Sequence, residues 1–234
     1  GENDTIVLNP TNMHCSVITL GSGEIVVQRN NLTVKYNADN TNLFTIAGSN
    51  HRVFNHRGTG TLKLQRLGIE LGKYTSGPRA RSLGGCIYSK GTVDLEYSSV
   101  EACKVTGNST HSYNSSGGGI YAATSVVLNH STISDNSVRD PQINYQANGG
   151  GAAAPVITAA YSTISGNSAG GYGGGLFVAA GSNQASLLKQ CTISGNTSHR
   201  GGGVSTRASV TILESTISGN SVTNYGSGMF VDGA

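Results

Sequence analysis

The stretch Ser162-Thr163-Ile164-Ser165-Gly166-Asn167, followed after five residues by Gly173-Gly174-Gly175-Leu176-Phe177, decides the architecture because both phrases return along the chain. The first recurs as Ser131-Thr132-Ile133-Ser134-Asp135-Asn136, as Cys191-Thr192-Ile193-Ser194-Gly195-Asn196 and as Ser215-Thr216-Ile217-Ser218-Gly219-Asn220. Its isoleucines step by 31, 29 and 24 residues, and Ser98-Ser99-Val100-Glu101 is a degenerate earlier copy. The second recurs as Gly84-Gly85-Cys86-Ile87, Gly117-Gly118-Gly119-Ile120, Gly149-Gly150-Gly151-Ala152, Gly201-Gly202-Gly203-Val204 and Gly226-Ser227-Gly228-Met229. Repeats of this length mark stacked supersecondary units.

From the apolar residue of the glycine phrase to the next Ile or Val the spacing is 12 or 13 in most repeats and 17 between Leu176 and Ile193. The return varies from 11 to 20 residues, as surface loops do. Helical periodicity is absent, whereas Gly91-Thr92-Val93-Asp94-Leu95-Glu96 alternates, with Val93 and Leu95 inward and Asp94 and Glu96 outward. Short strands joined by tight corners, each pairing with its counterpart one coil away, give an all-β, single-stranded right-handed parallel β-helix, a β-solenoid of the pectate-lyase-like shape. Residues 84–234 carry the regular repeats, and residues 1–83 read as less regular coils of the same single domain. Thr5–Leu8, Glu24–Val27, Leu32–Lys35, Leu43–Ile46, Val53–Asn55 and Thr61–Leu64 are the strand candidates there.

Stacking sets Asn136, Asn167, Asn196 and Asn220 above one another, and an amide that both donates and accepts can satisfy itself in such a ladder. Their expected role is structural. The glycine triplets permit close backbone approach at a corner; a phosphate cradle would need a following helix or Lys-Ser/Thr, which the sequence lacks. Alternation turns the next position outward: Tyr88, Tyr121, Ala153, Phe177, Ser205 and Phe230, four of the six aromatic. Tyr88, Tyr121, Phe177 and Phe230 are therefore candidate binding residues, a stripe able to stack on sugar rings or a partner, unless loops or ring stacking between coils cover it.

The alternation of Gly-Gly-Gly-Ile-Tyr with Ser-Thr-Ile-Ser-Gly-Asn-Ser resembles the right-handed parallel β-helix repeats of bacterial secreted and surface proteins, including polymorphic outer-membrane proteins and autotransporter-like adhesins. The resemblance implies a secreted or cell-surface location and an adhesive role, with a glycan or a host-surface protein as partner. It also implies caps and an anchor, so the chain is expected to be part of a longer polypeptide.

The 234 residues include 34 glycines, 36% hydrophobic and 12% charged residues, which fits a folded, mostly β chain. A net charge of +3 argues against nucleic acid as partner. The charge is uneven: eight of fifteen Lys and Arg lie between residues 51 and 90, opposed only by Glu70. Lys73, Arg79 and Arg81, in the loop Lys73–Arg81, are the candidate basic contacts to glycans or host surfaces. Cys15, Cys86, Cys103 and Cys191 form no C-x-x-C pair, and no metal or cofactor is expected. The residues favour buried free thiols; a Cys86–Cys103 bridge is the alternative, needing Cα atoms within about 7 Å. No apolar run approaches the ~20 residues of a membrane helix.

An enzyme acting on acidic polysaccharide is the competing reading. A hydrolase needs paired carboxylates, for which Asp94 and Glu96 are the nearest candidates in sequence, and a lyase needs a base beside a cation. Lys63, Arg66, Lys73, Arg79 and Arg81, with His51 and His56, supply basic groups but no matching motif. No catalytic residue is assigned.

Overall fold

A computed structural model describes residues 3–12, 14–37, 42–77, 80–108, 114–141 and 146–232. Their strands form three eight-stranded sheets, one six-stranded sheet and one pair, and every strand pairing is parallel. One coil shows the course of the chain. Ile87–Ser89 lies on a first face, Thr92–Glu96 on a second, Ser99–Glu101 on a third and Lys104–Thr106 on a fourth, before a glycine corner returns the chain to the first face at Ile120–Ala122. The parallel β-helix expected from the repeats is the fold. The strand candidates of the first 83 residues are present, joined by Val17–Thr19, Leu67–Glu70 and Lys73–Thr75, which are too short or too glycine-rich for alternation to reveal.

Alternation fixes what is inside. Val93 and Leu95 are 0% exposed while Asp94 and Glu96 face outward. Because register on the first three faces holds from coil to coil, apolar residues stack in columns along the axis. Ile69, Val100, Ile133, Ile164, Ile193 and Ile217 line the third face, and Phe54, Ile87, Ile120, Ala152, Leu176, Val204 and Met229 the first. Each buried aliphatic contributes about 1.5–3 kcal/mol. A second small core of Val105, Val138, Ala147 and Ala169 seals the inner side of the fourth face.

The corners repeat as strictly as the strands. After the second face Arg66, Tyr97, His130, Tyr161, Gln190 and Glu214 all adopt left-handed conformations, with φ between 48° and 56°. After the third face Asp135 (φ 56°) and Gly166 (φ 65°) do the same, which explains the glycine within the first phrase. In the glycine triplet the members differ in purpose. Gly117 has φ 69°, whereas a Cβ on Gly118 would lie 2.6 Å from the Ser137 carbonyl carbon and one on Gly119 would lie 2.9 Å from Asn136 Cγ.

Two polar columns satisfy the corners. Serine hydroxyls at the head of the first phrase accept from the preceding coil: Ser98 N–H donates to Ser131 Oγ (3.2 Å) and Ser131 N–H to Ser162 Oγ (3.1 Å). The asparagines form the expected ladder. Asn136 Nδ2 donates to Asn167 Oδ1 (3.0 Å), Asn167 Nδ2 to Asn196 Oδ1 (3.0 Å) and Asn196 Nδ2 to Asn220 Oδ1 (2.9 Å). Each Oδ1 also accepts the backbone N–H of the coil before, as Asn167 Oδ1 does from Asn136 N at 3.0 Å.

The cysteines correct one expectation. Cys86 and Cys103 are joined by a disulfide with Cα atoms 5.5 Å apart, because the glycine corner and the end of the third-face corner meet within one coil. Cys15 is free and exposed, and Cys191 is free and buried, holding the place of a serine in its column. Among the described residues no helix is long and apolar enough to cross a membrane.

Candidate functional site

The outward residues after the glycine phrase form one register column: Asn55, Tyr88, Tyr121, Ala153, Phe177, Ser205 and Phe230. Tyr88 and Tyr121 stack with ring centres 5.8 Å apart and planes at 7°, both half-buried. Phe177 is only 6% exposed, with Tyr172 at 6.4 Å and the Arg207 guanidinium at 5.5 Å from its ring. Phe230 is half-buried, 6.0 Å from the Tyr172 ring. The row is therefore the floor of a partly roofed face, not an open stripe. Side chains carried from the fourth face, from the glycine corner and from the end of the first face provide the roof.

At one end of this floor a cleft of about 380 Å³ opens between the first and fourth faces, lined by Arg52, Asn55, Arg57, Tyr74, Arg81, Tyr88 and Lys90 with Leu83. Its centre is a sandwich. The Arg52 guanidinium lies 3.4 Å from the Tyr74 ring centre and 5.1 Å from that of Tyr88. Arg52 is 6% exposed and held in place: Nη1 pairs with Glu24 at 3.1 Å, and Nε donates to the carbonyls of Leu83 and Gly84, each at 3.1 Å. Such a buried, bonded cation positions the two rings. Asn55 Nδ2 donates to the other oxygen of Glu24, so that carboxylate is occupied as well.

The cleft's rim carries the free charge. Arg57, Arg81 and Lys90 are exposed and make no ion pair with a carboxylate among the described residues. Burial pushes the Tyr88 phenol above its ordinary value, Tyr121 adding to this and Arg52 opposing it. The phenol therefore keeps its proton and can donate to a ligand oxygen at neutral pH. Three exposed cations around a rigid Tyr-Arg-Tyr stack can hold a ligand with hydroxyls, apolar ring faces and negative charge.

Of the residues singled out in the sequence, the structure brings Tyr88 and Arg81 together in this cleft. Lys73 is exposed on the same strand as Tyr74 but does not line it. Arg79 lies outside the described residues. Tyr121 extends the floor, Phe177 and Phe230 belong to its far end, and Asn136, Asn167 and Asn196 are buried at 0% exposure in the ladder. Arg52 and Tyr74 were not singled out for the site, although Arg52 stands in the basic tract.

A second aromatic feature lies on the corner after the second face. Tyr97, His130 and Tyr161 stack at ring distances of 4.8 and 4.7 Å on the left-handed corner, with Tyr97 44% and Tyr161 52% exposed. Its signal is the aromatic residue just before Ser98, Ser131 and Ser162. The rings cover one another's faces, so the stack offers mainly edges.

The acidic pair is engaged. Lys63 Nζ lies 3.5 Å from Asp94 and 2.8 Å from Glu96, and Gln65 Nε2 donates to Glu96 at 2.6 Å. Burial pushes the Asp94 carboxyl up, while the hydrogen bond from Lys63 holds Glu96 down. Among the described residues no cluster of three or more His, Cys, Asp or Glu could hold a metal ion.

No protein-family model, curated protein or solved structure matches the chain.

Proposed function

We propose that the protein is a non-catalytic β-helix scaffold of a bacterial cell surface or secretome that binds glycans, in the manner of an adhesin, through the cleft between its first and fourth faces. The observation that carries this reading is the Arg52 sandwich: a buried arginine locks Tyr74 and Tyr88 into a preorganised platform, and exposed Arg57, Arg81 and Lys90 surround it. Preorganisation lowers the ordering cost that weakens most surface binding. The geometry suits sugars because ring faces and hydroxyl donors lie side by side.

Cleavage of an acidic polysaccharide has weaker support. The opposite shifts of Asp94 and Glu96 are what an acid-base pair requires, but Lys63 bridges both carboxylates and Gln65 holds Glu96.

A glycan array tests the reading directly. Binding should be present in the natural protein and fall about tenfold in Tyr88→Ala and in Arg81→Gln, each loss corresponding to one good contact of roughly 1.4 kcal/mol. An array without hits, or hits indifferent to both substitutions, removes the proposal. Unsaturated-product absorbance from a pectin or glycosaminoglycan panel would instead establish a lyase.

A further inference from the structure

The far end of the same floor holds a second cleft, of about 510 Å³, lined by Asn114, Gln146, Asn148, Tyr172, Arg200 and Arg207 together with His199. Two arginines converge there on an aromatic frame. The Arg200 guanidinium lies 5.6 Å from the ring centres of Tyr172 and Tyr225 and 5.7 Å from that of Phe230, while that of Arg207 lies 5.2 Å from Tyr172 and 5.5 Å from Phe177.

Arg200 reaches this place through a local irregularity. The fourth-face strand Thr197–Arg200 shifts register between Ser198 and Arg200 against its neighbour, and Arg200 pairs with Tyr225 on one side and bridges Tyr172 on the other. Irregularities of this kind re-aim side chains. Nη1 of Arg200 donates to the Tyr172 hydroxyl at 3.1 Å, but its Nε is buried with no hydrogen-bond partner among the described residues. The Oγ of Ser205, on the floor column between Phe177 and Phe230, is buried and has no partner among the described residues either. A buried guanidinium N–H without a partner is unfavourable, so Arg200, which lines the cleft, is suited to an acceptor entering from it.

Asn148 and Arg207 add further donors at this cleft. Asn148 Oδ1 already accepts the Tyr172 N–H at 3.1 Å, so the amide it has left to offer is a donor. Arg200 pairs with no carboxylate among the described residues, and Arg207 is held at 2.8 Å by Asp232, a pair more than a third exposed on both sides. Asp232 thus shows which chemistry Arg207 accepts: a carboxylate oxygen. Its exposure makes the contact weak and replaceable.

The two clefts adjoin. Arg81, on the rim of the first, donates from Nε to the carbonyl of Asn114, which lines the second, at 3.3 Å. Along the floor Tyr88 and Phe177 are three strand spacings apart, roughly 14 Å. A chain with regularly spaced negative charges would span both, and an aromatic floor beneath such a chain suits sugar rings.

We infer that the cleft beneath Arg200 and Arg207 is an oxyanion site for the carboxylate or sulfate ester of an acidic glycan, which lies along the helix axis and crosses both clefts. This rests on the glycan-binding reading above and adds the ligand's charge class and its second point of attachment.

The test uses the full chain, titrated calorimetrically with short heparin-derived oligosaccharides, oligogalacturonates, neutral malto-oligosaccharides and inorganic sulfate. One or both acidic series should bind at least about tenfold more tightly than the neutral one, and which acidic series binds identifies sulfate or carboxylate as the group held. Arg207→Gln and Arg200→Lys should each lower affinity about tenfold. Arg207 is surface-exposed enough that its variant will fold, which a thermal melt verifies. Loss of binding in Arg81→Gln but unchanged affinity in Arg207→Gln and Arg200→Lys would overturn the second site and leave the first standing. Equal binding of neutral and acidic series would overturn the oxyanion site and leave the glycan-binding reading standing. Sulfate binding without any oligosaccharide binding, or no binding at all, would remove both readings.

Discussion

Cys86 and Cys103 stand where Gly119 and Asn136 stand one coil later, so the disulfide replaces a glycine-asparagine contact of the repeat. The asparagine ladder ends against it: the Cys103 N–H donates to Asn136 Oδ1 at 3.0 Å. Above that point the corner is held by stacked amides, and at it by a covalent bond.

Closing a loop of 17 residues, the bridge should stabilise the protein by about 3 kcal/mol, observed as a lowered denaturation midpoint on reduction or in a Cys86→Ala, Cys103→Ala variant. Cys86→Gly with Cys103→Asn extends the repeat by one coil and should recover part of the loss. Equal stability of the two double variants would show that ladder and bridge are not equivalent.

Asn167 is the ladder's most committed member, donating to Ile133 O (2.9 Å), Ser165 O (3.0 Å) and Asn196 Oδ1 (3.0 Å) while accepting from the Asn136 backbone (3.0 Å). Asn167→Ala leaves several buried groups unpaired and should cost about 3 kcal/mol or more in urea unfolding. Asn220, half-buried at the end of the column, should cost less when replaced by Ala. A reversed order would mean that the ladder is held by something other than its amides.

Gly118→Ala drives a methyl into the Ser137 backbone and the Gly150 carbonyl and should lower the melting temperature by several degrees or abolish folding. Gly77→Ala meets open space and is expected to be nearly neutral. Comparable effects at both positions would contradict the close packing of the glycine corner.

Because Glu96 is held below its ordinary 4.5 by Lys63, its ion pair adds stability that is present above that value and lost as pH falls through the lowered one. Asp94, raised above its ordinary 3.8 by burial, acts oppositely: protonation in the window above 3.8 favours the folded state as pH falls. In Lys63→Met both carboxyls should titrate at higher pH in a carbon NMR titration. An unmoved Glu96 would show that Lys63 does not set its charge.

What the sequence disclosed was whatever repeats. Ile164, Asn167 and Gly173 were legible because each has a counterpart a fixed number of strands away, and stacking converts that recurrence into contact. Cys86 and Cys103 occur once each at their positions, so sequence alone gave no counterpart to reveal their pairing. Arg200 and Tyr172 lie in the segment whose length changes from coil to coil, where spacing carries no register. Alternation turns Phe177 outward in the sequence, but its cover comes from Tyr172, at the glycine corner, and from Arg207, one coil later, and alternation carries no signal of either.

First-face strands keep their pairing although the chain between partners runs from 24 residues, Ala152 to Leu176, to 33, Ile87 to Ile120. Much of the difference is absorbed where the fourth face returns to the glycines: ten residues separate Thr106 from Gly117, and none separates Arg200 from Gly201. Doubling such a segment costs only about 0.6 kcal/mol of closure entropy. Tolerance to change in this molecule therefore has a direction. Along the axis each column constrains what a substitution can be, while around the circumference corner segments can be lengthened or rewritten and the wall beside them stays the same.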